Sequence, residues 1–262
     1  MSLVEYAKKD HLAVITLNRP EKSNALSPEL LIAVRGAWIR YRDDDDAWIA
    51  IFTGAGRTFS AGLDKSWMER GLEGEDFLNC FVDIISKDPY WSGELGKPTI
   101  VAVNGSALGA GLDMAFQADL RIAAESARFQ ITEVVLGGIN LLWDNLPYAI
   151  AAELMSGFML CSKRAYETGM VNKVVPDEQL MDAAMEMAEE LLTRRAPLSL
   201  YHSLKLLREM KKASIPVPRN LINGSLTGEY TRLLGRDLVK THDWKEASKA
   251  LLENRQPIFK RK

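Results

Sequence analysis

Residues 101–138 read VAVNGSALGAGLDMAFQADLRIAAESARFQITEVVLGG. A strand-like run ends at Asn104-Gly105, and a glycine-rich turn, Gly105 to Gly111, opens into a helix carrying Asp113. Two short strand-like runs, Leu120–Ala123 and Arg128–Ile131, lead on to a second carboxylate, Glu133. Backbone N–H donors at a helix start and two acids within reach of it are what a site needs to hold a developing oxyanion and move a proton beside it. The loop is not the dinucleotide fingerprint, because G-x-G-x-x-G is absent. Taken alone, it reads equally well as a tight helix start packed on a sheet.

Upstream, Leu3–Ala7 and Leu12–Leu17 read as two short strands around a turn at residues 8–11, and Pro20 closes the second. Ser27 as N-cap with Pro28 behind it starts a helix whose Leu30, Leu31, Val34, Trp38 and Tyr41 keep helical spacing. A strand at Trp48–Thr53, a helical stretch around Asp76–Ile85 and a strand at Thr99–Val103 follow. Val171–Val175 is the last clear strand. Beyond Asp177 only helical patterns remain, at Glu178–Arg194, Leu198–Lys212, around Leu226–Leu234 and at Trp244–Glu253. The pattern predicts an α/β core over residues 1–195 and an all-helical region over 196–262.

At 262 residues the chain can bury a full core, and 47% hydrophobic with 26% charged residues is ordinary globular composition. A net charge of −2 gives no footprint for nucleic acid. Cys80 and Cys161 form neither a disulfide framework nor metal-ligand spacing, so no metal is expected and a reducing, cytoplasmic setting is. No apolar run reaches the ~18–20 residues of a membrane span, and no signal-peptide pattern opens the chain. Ser60 or Ser106 as a hydrolase nucleophile needs a histidine base, yet neither lies in G-x-S-x-G and the histidines are only His11, His202 and His242. Asp43–Asp46 lacks the Gly and Glu of a calcium loop and reads as a solvated turn.

A second small-residue loop, Arg57-Thr58-Phe59-Ser60-Ala61-Gly62-Leu63-Asp64, follows the Trp48–Thr53 strand and lets a ligand approach the backbone closely. By itself it reads as a strand-to-helix turn. FSAGLD followed by KPTIVAVNGSALGAG and an acid in the next helix resembles the crotonase family (enoyl-CoA hydratase/isomerase). Asn18-Arg19-Pro20 with Asn24-Ala25-Leu26 is similar to the family's N-R-P…N-A-L opening, and RAYETGMVNKVVP, residues 164–176, to a later segment. The likeness spans essentially the whole chain.

That resemblance implies a spiral of repeated ββα units with a C-terminal helical region used for trimers, often paired. It also implies an acyl-CoA thioester substrate, no further cofactor, and a thioester oxygen held between two backbone N–H groups. On this chain the donors map to Ala61 and Ala110, with Gly62, Leu63 and Asp64 completing the first loop; Lys65 beside it reads first as a solvated charge and otherwise as a residue that meets a CoA phosphate. The catalytic acids map to Asp113 and Glu133, 20 residues apart as in hydratases. Asp113 stands where hydratases carry Glu, which sets its carboxylate about 1.5 Å further back.

After Glu133 the family's glycine-rich run is replaced by residues 139–145, INLLWDN, so Trp143 is expected to fill the pocket wall. A Trp there resembles Δ3,Δ2-enoyl-CoA isomerases, whereas Asp113 favours hydration. Asp144 is a further pocket candidate resembling the second acid of dienoyl-CoA isomerases, though it lies three residues beyond that place; otherwise it caps the following helix. The expectations are thus a 2-enoyl-CoA hydratase, an isomerase shuttling a proton on Glu133, or a non-catalytic binding protein of the same fold.

Overall fold

The computed structural model describes residues 2–72, 77–135, 146–212, 240–253 and 255–260. Strands β1 (Val4–Lys9), β2 (Leu12–Leu17), β3 (Ile49–Gly54), β5 (Thr99–Val103), β7 (Leu120–Ala124) and β10 (Lys173–Val175) form one sheet in the order β1-β2-β3-β5-β7-β10. Strands β4 (Thr58–Ser60), β6 (Ser106–Leu108), β8 (Arg128–Gln130) and β9 (Leu160–Cys161) form a second. Each turn of the chain therefore lays one strand in each sheet, β3 then β4, β5 then β6, β7 then β8. Apart from the β1/β2 and β8/β9 pairs, all pairings are parallel. This is the α/β core that the sequence pattern predicts, arranged as the ββα spiral that the resemblance implies.

Every residue of β3 and β5 is buried, as expected of inner parallel strands covered on both faces. Helix α1 (Pro28–Asp43) starts where the Ser27 hydroxyl accepts the Leu30 N–H at 3.3 Å, and buries Leu30, Leu31, Val34, Ala37, Trp38 and Tyr41. The Trp38 ring stacks on Tyr90 at 4.2 Å and meets the edge of Phe52 at 5.2 Å, which anchors this helix to the sheet. Helices α2 (Lys65–Leu72), α3 (Phe77–Ser86), α4 (Ala110–Phe116), α5 (Tyr148–Met155) and α6 (Ser162–Glu167) fill the connections.

One expectation changes and another falls outside what is described. Residues 58–60 and 106–108, read as parts of turns, are strands of the second sheet; three residues are too few for an alternating pattern to show. The helical stretch expected around Leu226–Leu234 lies outside the described residues. The chain divides into two compact units, Met1–Leu95 with Thr99–Glu186, and Gly96–Pro98 with Met187–Lys262. Helix α7 (Leu180–Arg194) begins in the first and ends in the second, which also holds α8 (Pro197–Lys212) and α9 (His242–Leu252). Within the second unit, Arg208 donates to the Lys97 carbonyl at 3.2 Å, and Asp243 accepts the Lys260 N–H at 2.7 Å. Among the described residues no helix is long and apolar enough to cross a membrane.

Candidate active site

Three neighbouring parallel strands, β4, β6 and β8, end side by side: Ser60 is registered with Ala107, and Leu108 with Gln130. Their C-terminal ends deliver the three loops that matter, Ala61–Asp64, Gly109–Ala110 and Ile131–Glu133. The chain packs tightly there. Gly62 has φ +85°, and a Cβ on it would lie 2.6 Å from the Leu108 carbonyl and 3.6 Å from the Ala110 nitrogen. Gly109, at φ +49°, donates its N–H to Gln130 O at 2.9 Å, and a Cβ on it would lie 3.0 Å from Glu133 Oε1. Glycine at both places is what allows the first loop to reach the second, and the carboxylate to reach the start of α4.

The backbone hydrogen bonds show which amides of these loops are already paired. Ala61 N–H donates to Ser23 O at 3.0 Å, Gly62 N–H to Ser60 Oγ at 3.3 Å, and Asp64 N–H to Leu26 O at 3.0 Å. Leu63 N–H, between them, has no partner among the described residues, nor has Ala110 N–H at the first position of α4. The Ala61 amide, expected to be the first donor, is thus already paired, and Leu63 carries the unpaired amide of this loop. A long-range contact with Ser23 consumes the Ala61 amide, and the Gly62 turn leaves the Leu63 amide unpaired.

Glu133 is half-buried with its Oε2 enclosed and without a hydrogen-bond partner among the described residues. An enclosed carboxylate oxygen left unpaired is costly unless something else fills that role, and a substrate or a water can. Asp113 sits in the first turn of α4, half-buried between the fully buried Leu112 and Met114. Helix α4 is fixed from behind by the Tyr90 hydroxyl, which donates to Met114 O at 3.0 Å.

The Asp64 carboxylate is paired with Arg19 and accepts the Ser66 N–H at 2.8 Å and the Ser66 hydroxyl at 2.6 Å, so it caps α2 and fastens the loop. Burial by itself raises a carboxyl, but the bonds from Ser66 and Arg19 outweigh it and hold Asp64 down to about 2. Lys65 projects into solvent with its side chain 90% exposed, 3.7 Å from Glu69. Trp143 and Asp144 lie outside the described residues.

Arg19 and Asn24, noticed in the sequence only as motif letters, hold the first loop in place. Asn24 is fully buried at φ +53°; its Oδ1 accepts the Arg19 N–H at 2.9 Å, and its Nδ2 donates to Ala55 O at 3.0 Å and Thr58 O at 2.8 Å. The Ser-Asn pair at 23–24 was the available signal, since Asn tolerates a left-handed turn. Among the described residues no group of three His, Cys, Asp or Glu side chains is placed to hold a metal ion.

Two unpaired amides and an enclosed carboxylate on adjoining loops, on a spiral of paired sheets, invite comparison with known proteins. The family model for enoyl-CoA hydratase/isomerase matches residues 7–262. The chain belongs to the enoyl-CoA hydratase/isomerase family. It is 35% identical over 261 residues to the (E)-benzylidenesuccinyl-CoA hydratase of Thauera aromatica, covering 96% of each chain. It is 33% identical over 262 residues to the carnitinyl-CoA dehydratase of Salmonella paratyphi B, covering 94% of each. The solved structure of an enoyl-CoA hydratase from Mycobacterium tuberculosis matches it with a TM-score of 0.85 at 27% identity over 100% of both chains. The α/β spiral is thus the crotonase fold of this family.

Proposed function

We propose that the protein adds water to the double bond of a 2-enoyl-CoA thioester, or removes it in reverse. The observation that carries the reading is the unpaired Glu133 Oε2, on a carboxylate packed against Gly109, together with the unpaired amides of Ala110, next to that glycine, and of Leu63, next to the Gly62 that packs on Leu108 and Ala110. In this reading the thioester oxygen sits between the two N–H groups, which hold the negative charge that develops as the carbonyl becomes an enolate. A water held by Asp113 and Glu133 adds its oxygen to C3 while a carboxylate takes its proton, and that proton is delivered to C2 on the same face. No electrons leave or enter, so coenzyme A as part of the substrate is the only cofactor required. Relatives named as a hydratase and a dehydratase support this direction. Lys65, exposed at the edge of the first loop and within ion-pair reach of Glu69, is proposed to meet a CoA phosphate.

Isomerisation of a 3-enoyl-CoA by Glu133 alone is the second reading, favoured by the resemblance of the Trp143 stretch of the sequence to such isomerases. Crotonyl-CoA and a 3-enoyl-CoA, followed by loss or gain of the conjugated-enoyl absorbance, separate the two. Glu133→Gln is expected to lower turnover by about 10²–10⁴-fold with thioester binding retained. Asp113→Asn is expected to lower hydration by about 100-fold and to spare isomerisation. If Glu133→Gln changes nothing with any acyl-CoA, including benzylidenesuccinyl and carnitinyl thioesters, the catalytic reading fails and a binding role remains.

A further inference from the structure

We infer that Arg19 is a positioning residue for the Leu63 N–H, acting on it through a chain of two peptide groups. Arg19 Nη1 donates to Ala25 O at 2.9 Å. The Ala25 C=O and the Leu26 N–H are opposite ends of one planar trans peptide. The Leu26 N–H in turn donates to Gly62 O at 2.7 Å, and the Gly62 C=O and Leu63 N–H are opposite ends of the next. The chain ends at the Leu63 N–H, which no described residue accepts. This inference rests on the proposed function only for the atom that receives that last bond, the thioester oxygen.

Two consequences follow from the covalent geometry. A trans peptide points its C=O and N–H in opposite directions, so holding Gly62 O on Leu26 turns the Leu63 N–H away from residues 23–26. A peptide that accepts at its oxygen also donates more strongly at its nitrogen, by roughly 10–30% per bond along such a chain, and here a guanidinium stands at its head. That guanidinium is fixed. Its Nη1 also binds the Asp64 carboxylate, which Ser66 holds, and the Asp64 N–H closes the circuit on Leu26 O at 3.0 Å. The Arg19 and Asp64 side chains are only 18% and 9% exposed, so water screens the arrangement little.

A residue that merely staples the fold changes stability or affinity; one that polarises the donor changes the electronic state of a bound carbonyl. The full-length protein is therefore titrated with p-dimethylaminocinnamoyl-CoA, whose absorption moves to the red as its thioester carbonyl is polarised, and crotonyl-CoA kinetics are measured in parallel. Wild type is expected to shift the band. Arg19→Met is expected to bind the probe within about threefold of wild type, to lose half or more of the red shift, and to lose about tenfold in kcat with KM within about threefold. Arg19→Lys restores most of the shift, and Arg19→Gln, a neutral donor, less. If Arg19→Met does not fold, the descending order of wild type, Lys and Gln carries the same test. Variants that bind the probe with the full wild-type shift, whatever their thermal stability, overturn the inference. A wild-type protein that binds the probe with no shift, or not at all, overturns the oxyanion reading itself and this inference with it.

Discussion

Ala61 and Leu63 stand two residues apart on one loop, with similar surroundings in the sequence, yet the carbonyl of Ser23 occupies one amide and nothing in the described protein occupies the other. Asp64 beside them is a residue whose protonation matters to folding. Its folded pKa, about 2, lies below the ordinary 3.8, so the folded state binds that proton less tightly than the unfolded state does. The associated stability, about 2 kcal/mol, is complete above roughly pH 4 and is lost as pH falls toward 2. Thermal melts between pH 2 and 7 should show wild type losing more than Asp64→Asn across that window, with Asp64→Asn the less stable at neutral pH. Parallel profiles would show that the carboxylate is not what fastens the loop.

At the scale of elements, the turn between α3 and β5 carries a charge that burial penalises. Asp88 is buried, accepts the Tyr90 N–H at 2.8 Å, and its carboxyl is pushed up to about 6 by that burial. Here the sign reverses: the folded state holds the proton more tightly, so stability falls as pH rises from about 4 through 6. Asp88→Asn should therefore melt higher than wild type above pH 7, by up to about 3 kcal/mol, and match it near pH 3.5. A lower melting temperature at both pH values would mean that the carboxylate's bonds to the turn outweigh its burial. The long elements were legible in the sequence, since Ser27-Pro28 and the spacing from Leu30 to Tyr41 mark α1, and Thr99–Val103 coincides with β5. Strands β4 and β6 were not, because a three-residue strand is defined by its neighbours rather than by its own pattern.

For the whole molecule, family likeness leads us to expect a homotrimer or a dimer of trimers, so light scattering on the eluted protein should give three or six times the 29.3 kDa chain. A monomeric mass would remove that expectation. The amino-acid pattern was enough to establish an α/β chain with a glycine-rich loop ahead of Asp113 and Glu133, because hydrophobic period, caps and glycine placement are local properties carried by neighbouring residues. Which N–H groups are free, and which polar side chains fasten the loops, was settled by packing. The Ala61 amide is taken by residue 23, Asp64 by residue 19, and Leu63 is left over. Those partners lie about 40 residues away in the chain, and hydrogen bonds over that distance exist only once the strands have brought the loops together.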